Sequence, residues 1–365
     1  MKFVCTVCGH EEDTDTRKPK CDCGGLWELS YTPPKFSLAE VDRDTWSIFR
    51  YRKFMAMADD TWRDITLGEG MTPIIPFRDG VWLKMDYFMP TLSFKDRGAA
   101  VLIAHAKSIG VKRVIQDSSG NAGNSVAAYC GRAGIACDIF VPEGTSDKKI
   151  RMIEAHGATA HIIPGNRDHC ADVCRAAARE QGLYYANHVY NPFFYEGTKT
   201  YIYETYEQLH RIPEHIFIPV GNGTLFLGIV KGLEHLLESG IIEHMPQLYL
   251  VQSERCQPLL KAMERHDVQI RPEQQAATMA EGIAIGLPMR SAEILSYVYR
   301  YGVKGVAIPE ENILGARSML ARQGIYCEHT TAAVCAGYEA YCRAHGPVSD
   351  VLISMCGAGL KSDHG

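Results

Sequence analysis

The sequence has no apolar run of the roughly 18 residues that a membrane-spanning helix needs. Its first residues, Met1-Lys2-Phe3-Val4-Cys5, lack the long apolar stretch of a secretory signal, so a cytoplasmic place is expected. Positive charge is short as well: 38 Lys and Arg against 43 Asp and Glu give a net charge of −5. No global field is left to hold nucleic acid or an anionic membrane, and any anion site is local. Internal repeats and low-complexity tracts are absent. Disorder is excluded too, because 46% of the 365 residues are hydrophobic and 22% charged, enough for one large core or two smaller ones.

What is present begins with cysteine. Thirteen is an odd number, and nine of them, from Cys130 to Cys356, are scattered through segments patterned as helix or strand, as reduced core thiols are. The other four cluster as Cys5-x2-Cys8 and Cys21-x-Cys23, each pair followed by Gly. Thiolates at that spacing can converge tetrahedrally on one zinc ion, which reads residues 1–31 as a zinc ribbon; a redox pair is the alternative. Four Cys ligands leave no coordination position for water, so such an ion staples the segment and does not catalyse. Arg17, Lys18 and Lys20 between the knuckles read as a solvated loop, not a nucleic-acid surface.

After Pro33-Pro34, short β-rich runs lead through Gly-rich turns into helical patterns. Val81–Met85 passes through Pro90–Gly98 into the apolar-periodic helix Ala99–Ile109, stopped by Gly110. Val114–Asp117 passes through Ser118–Asn124 into a helix ending near Gly134, then the strand Ala136–Val141. Ile216–Val220 passes through Gly221-Asn-Gly-Thr224 into the helix Leu225–Leu237. This alternation predicts parallel sheets covered on both faces, with ligands at the carboxyl ends of the strands. Asn191–Gly197 reads as an unusually aromatic loop returning the chain to the first sheet. The expected division is a ribbon (1–31), a large cofactor-binding α/β domain (32–105 and 200–365) and a small α/β domain (106–199).

Each strand–loop–helix junction ends on a helix N-terminus with unpaired N–H groups, a candidate anion site. Three of them imply a ligand with several anionic groups. The Gly221–Thr224 loop is neither a Walker sequence nor a Gly-x-Gly-x-x-Gly turn, and suits a single phosphate held by amides and the Thr224 hydroxyl. Lys95 stands where a helix begins; a helix N-terminus and partial burial both favour the free amine that attacks an aldehyde. Spacing alone favours a solvated loop lysine over a catalytic one, with Asp96 and Arg97 a surface ion pair.

Taken together, Pro90-Thr-Leu-Ser-Phe-Lys-Asp-Arg-Gly98, Ser118–Asn124, Pro219-Val-Gly-Asn-Gly-Thr224 and Met355-Cys-Gly-Ala-Gly-Leu-Lys361 resemble, in order, the motifs of the threonine synthase family. That family belongs to the fold-type II pyridoxal-phosphate enzymes, the tryptophan synthase β-like superfamily, and many members carry an N-terminal four-cysteine ribbon. The resemblance implies a fold-type II enzyme of two parallel or mixed-sheet α/β domains with a zinc-ribbon segment. It further implies pyridoxal 5'-phosphate as cofactor, structural zinc on Cys5, Cys8, Cys21 and Cys23, an amino-acid substrate and a homodimer.

Position by position, it implies that Lys95 binds the cofactor aldehyde and shuttles protons. Gly221, Asn222, Gly223 and Thr224 hold the phosphate, Asn121 meets the pyridine 3-hydroxyl and Cys356 faces the ring nitrogen. Ser118, Ser119, Gly120 and Asn121 grip the substrate carboxylate. The implied reaction is O-phosphohomoserine plus water to threonine plus phosphate. The alternatives are a serine/threonine ammonia-lyase, a phosphoserine-using synthase or a cofactor-binding regulator. Two positions depart from the family: Phe193, Phe194 and Tyr195 follow Asn191-Pro192 where a basic residue binds the substrate phosphate, and Cys356 replaces a Thr. Lys149, Lys199 or His188 can supply the missing phosphate contact, with His188 taken as a substrate residue. Ala280–Gly286 reads like the Asp-Gly-Ile segment of the dehydratases and places Glu281 as a further carboxylate.

Overall fold

The computed structural model describes residues 1–361. Three short antiparallel strands come first, β1 (Lys2–Cys5), β2 (Glu11–Asp13) and β3 (Trp27–Ser30). A hairpin, β4 (Ile74–Arg78) and β5 (Val81–Lys84), precedes α1 (Lys95–Ser108). The chain then alternates through β6 (Arg113–Gln116), α2 (Asn121–Ala133), β7 (Ala136–Pro142), α3 (Asp147–Ala155), β8 (Thr159–Ile163), α4 (Arg167–Gln181) and β9 (Tyr184–Tyr185). Two helices, α5 (Phe193–Thr198) and α6 (Thr200–Leu209), lead to β10 (His215–Pro219), α7 (Thr224–Glu238), β11 (Gln247–Ser253), α8 (Pro258–Glu264) and α9 (Ser291–Tyr301). The last elements are β12 (Lys304–Ile308), α10 (Glu310–Arg322), α11 (His329–His345) and β13 (Val351–Ser354).

Two compact units result among the described residues, 1–70 with 95–198, and 71–94 with 199–361. The first holds the ribbon sheet, in the order β2-β1-β3, and a parallel sheet in the order β8-β7-β6-β9. The expected division joined 32–105 to 200–365; in the structure, residues 32–70 and α1 go with the first unit, because α1 packs on α2 and α5. Every residue of α1 from Asp96 to Ala106 is buried, which fits the small and apolar run from Gly98 to Ala104. The Ser118–Asn121 loop leaves the carboxyl end of β6, and Ala186–His188 leaves the end of β9, both in this sheet.

The second unit is built on a six-stranded sheet, β12-β11-β10-β13-β5-β4, parallel except for β4. Its core is apolar on both faces, with Phe217 and Tyr249 stacked at 4.0 Å between β10 and β11. The Gly221–Thr224 loop follows the central strand β10, and Met355–Ala358 follows its neighbour β13. Among the described residues, no helix is long and apolar enough to cross a membrane.

Two local expectations are corrected. Residues 193–198 form the helix α5, not a loop, because the Asn191 side chain accepts the Phe193 N–H at 3.0 Å and every residue of the turn is buried. Asp96 and Arg97 are not a surface ion pair: both are fully buried, and Asp96 accepts the Ser125 hydroxyl from α2.

Candidate active site

In the first unit, Lys95 is the opening residue of α1. Its Nζ lies 5.8 Å from the ring centre of Phe194, and Phe194 itself rests on Gly98, where a Cβ would stand only 2.4 Å from the ring. His188, at the end of β9, meets the Phe194 ring edge-on at 5.7 Å. The imidazole is buried and its Nδ1 has no hydrogen-bond partner. Burial, and then the charges of Lys95 and Arg167, hold it neutral, well below the usual histidine range. Asn187 fixes the segment: its Oδ1 accepts the N–H groups of Val189 (2.8 Å) and Tyr190 (3.2 Å), and its Nδ2 donates to Asp117 at 3.0 Å.

Asp117 also accepts the Tyr185 hydroxyl at 2.6 Å, so the ends of β6 and β9 are tied together just before Ser118. Ser118 and Ser119 are half-buried, Gly120 is exposed, and α2 begins at Asn121 with no side chain capping its first N–H groups. This open N-terminus of a 13-residue helix suits a carboxylate. Lys149 lies in the first turn of α3 and is half-buried.

In the second unit, Gly223 has φ +75°, and a Cβ there would stand 2.4 Å from Ile294 Cδ1. A Cβ on Gly221 would stand 2.9 Å from the Gly282 carbonyl. Thr224 then opens α7, again without a capping side chain on its N–H groups. This bare backbone at a helix N-terminus fits a phosphate. Cys356 is buried, its Sγ 3.6 Å from the Ser354 carbonyl. Ser354 Oγ meets the Tyr201 hydroxyl at 2.9 Å. Phe94 N–H donates to the Cys356 carbonyl at 2.9 Å, Ser93 bridges to Gly357, and the buried Ser93 hydroxyl has no partner. Lys199 is buried just before α6, and Glu281 is an exposed carboxylate opening a 3-10 turn.

Each unit taken by itself carries groups that suit pyridoxal phosphate: the first has a primary amine at the start of α1, and the second has a glycine cradle that added Cβ atoms would fill. The ribbon fits a metal. The four Sγ atoms of Cys5, Cys8, Cys21 and Cys23 lie within 4.8 Å of one another, with Cys5–Cys23 at 3.4 Å and Cys8–Cys21 at 3.7 Å. A tetrahedron of sulfurs about 2.3 Å from zinc has edges of about 3.8 Å. The sequence reading did not find Asn187, Ser93 or the Gly98–Phe194 contact. A two-residue strand carries no periodicity to announce Asn187, and a contact across α1 and α5 leaves no local signal.

Residues 65–357 match the pyridoxal-phosphate dependent enzyme family. The threonine synthase of Methanocaldococcus jannaschii is 31% identical over 350 residues, covering 92% of this chain and 86% of that protein. The threonine synthase of Halalkalibacterium halodurans is 32% identical over 323 residues, covering 85% and 88%. Among solved structures, the processed form of threonine deaminase isoform 2 from Solanum lycopersicum aligns with a TM-score of 0.72 at 19% identity, covering 92% of this chain and 93% of that one. Maize serine racemase aligns with a TM-score of 0.70 at 18% identity, covering 83% and 94%. The structures share the fold-type II architecture, and the sequence relatives narrow it: this chain is a pyridoxal-phosphate-dependent enzyme and belongs to the threonine synthase family.

Proposed function

We propose that the enzyme is a threonine synthase, taking O-phosphohomoserine and water to threonine and inorganic phosphate. The observation that carries this reading is the set of threonine synthases at 30–32% identity along most of the chain. The likeness to threonine deaminase and serine racemase, at 19% and 18% identity, concerns the fold alone.

When bound, pyridoxal phosphate supplies the conjugated ring that stabilises the electron pair left by loss of a proton beside the amino group. Lys95 carries the cofactor through its Nζ and, once freed, moves protons at the substrate carbons. The backbone of Gly221, Asn222 and Gly223 and the Thr224 hydroxyl hold the cofactor phosphate. Asn121 bonds the ring 3-hydroxyl, and Ser118, Ser119, Gly120 and Asn121 take the substrate carboxylate at the start of α2. Cys356 gives the ring nitrogen a neutral, weakly bonding neighbour. His188, uncharged and with a bare Nδ1, contacts the substrate side chain. The same reading takes the ribbon ion as structural zinc, the working form as a homodimer and its place as the cytoplasm.

Feeding O-phosphohomoserine to the purified holoenzyme is expected to release threonine and phosphate in equal amounts. A 2-oxo acid with ammonia in their place would assign the chain to the eliminating relatives instead. Borohydride is expected to fix the cofactor to Lys95 and to no other lysine.

A further inference from the structure

A continuous set of buried rings joins the cysteine ribbon to Lys95. In the ribbon ladder Cys5 stands directly opposite Trp27, and Phe3, two positions before Cys5, stacks on Trp27 at 5.9 Å and 16°. Phe3 turns its edge to Phe193 at 5.9 Å and to His105 at 6.4 Å. His105, on the helix that Lys95 opens, stacks on Phe193 at 3.7 Å and 13°. Its Nε2–H donates to the Thr14 carbonyl of the ribbon at 2.9 Å, which leaves Nδ1 bare and buried. Phe194, next in the chain, lies against Gly98 and over Lys95 Nζ.

A second route ends at the same place. Trp27 Nε1 donates to the Lys18 carbonyl at 3.0 Å, and the neighbouring Arg17 guanidinium lies 5.9 Å from the Tyr184 ring centre. The Tyr184 hydroxyl accepts from Asn191 Nδ2 at 2.6 Å, and Asn191 Oδ1 in turn caps Phe193. Both routes reach the first turn of α5.

We propose that the ribbon is a positioning element for the Lys95 amine: a metal ion on Cys5, Cys8, Cys21 and Cys23 fixes the Cys5–Trp27 rung, and His105 and Phe193 carry that placement to Phe194 and Lys95. His105 and Phe193 are then positioning residues, acting on the amine through Phe194 and α1. The physical reason is size. Three strands of three or four residues cannot hold their register by burial alone, so the ion sets it. A loosened rung shifts Phe3 and, through Phe193, the Phe194 ring that fills the space beside Gly98 and lies over Lys95 Nζ. Misplacing a reacting group by about 1 Å can cost about a hundredfold in rate.

The inference rests on Lys95 carrying the cofactor, and its test reads that attachment directly. Holoenzyme is compared before chelation, after chelation and after zinc is restored, following metal per chain, the pH midpoint of the cofactor's long-wavelength absorbance, kcat and KM. Metal loss is expected to move the midpoint and lower kcat about tenfold with KM within about twofold, and zinc to restore both. His105→Ala, with its metal retained, should reproduce the metal-free values, whereas His105→Phe, which keeps the stacked ring, should stay at the wild-type ones. In Phe194→Ala the link is cut, so chelation should leave the midpoint where that variant starts. If the metal-free chain fails to fold, the His105 pair decides. A midpoint and kcat unmoved in His105→Ala, with only thermal stability lowered, would overturn the inference and leave the ribbon a staple. A wild-type protein with no cofactor on Lys95 would overturn the functional reading first, before any variant is made.

Discussion

Phe194 and Gly98 share one space: the ring of the first occupies the volume a side chain on the second would need, with only 2.4 Å between ring and ideal Cβ. Gly98 lies one turn beyond Lys95 on α1, so the pair sets how close α5 comes to the amine. Gly98→Ala adds a methyl group where the fully buried Phe194 cannot retreat. The expected cost is roughly 1–3 kcal/mol of stability, although Ala suits a helix better than Gly. Cofactor attachment and kcat should fall with it. Adding Phe194→Leu should recover part of both losses, and a thermal melt with a borohydride-trapping assay on the single and double variants checks this.

The phosphate cradle makes a separate prediction. Gly223→Ala places a Cβ 2.4 Å from Ile294 Cδ1 and forces a φ of +75° on an L-residue. The loop backbone must shift, and with it the N–H groups that open α7. Cofactor affinity should drop about tenfold or more, equivalent to about 1.4 kcal/mol. Equilibrium dialysis of the cofactor against wild type and variant measures it.

Strand–loop–helix junctions were legible because each uses local text: a β-rich run, a Gly-rich turn, then 3.6-residue periodicity, as at Arg113–Gln116 into Asn121–Ala133. The cysteine cluster was legible for the same reason, its four thiols lying within one short segment. What stayed hidden depends on partners distant in the chain. Asp96 and Arg97 read as surface charges, and only the approach of Ser125 from α2 shows Asp96 to be buried and bonded. Phe193 and Phe194 after Asn191-Pro192 read as an aromatic loop with rings packed in the core, and they are buried, but no local signal shows that His105 and Gly98 on another helix set their place. Tertiary packing decided these positions, and no propensity encodes it.

Glu69 gives the stability curve a defined slope. The side chain is fully buried and accepts from Leu67 N–H (2.9 Å), the Tyr129 hydroxyl (2.9 Å) and the Thr66 hydroxyl (3.0 Å). Burial outweighs these donors and pushes its carboxyl up to about 7, from an ordinary 4.5. Below pH 4.5 the group is protonated folded or unfolded. Between 4.5 and 7 the unfolded chain loses the proton while the folded one keeps it, so the contribution present at low pH is lost as pH rises, by about 3 kcal/mol in all. Glu69→Gln removes the titration, and its amide can face the Thr66 hydroxyl, which can rotate to accept. Urea midpoints at pH 4.5 and 7.5 should differ for wild type by more than for the variant.

In the second unit, Lys84 and Glu204 form an ion pair with both side chains fully buried. Lys84 Nζ also donates to the Thr72 carbonyl at 2.6 Å and the Thr72 hydroxyl at 2.8 Å, while Glu204 accepts the N–H groups of Met71 (2.8 Å) and Thr72 (2.7 Å). The group ties the start of β4 to β5 and α6. Lys84→Met keeps the volume and removes the cation, leaving Glu204 charged in an apolar surrounding, and should cost roughly 3–5 kcal/mol. Glu204→Gln in the same chain removes the stranded charge and keeps one amide oxygen, an acceptor for one of the two backbone N–H groups. The double variant should therefore be more stable than Lys84→Met alone, and denaturant midpoints of the four proteins give the coupling. A double variant no better than the single would mean that the Lys84 bonds to Thr72, not its pairing with Glu204, hold this corner together.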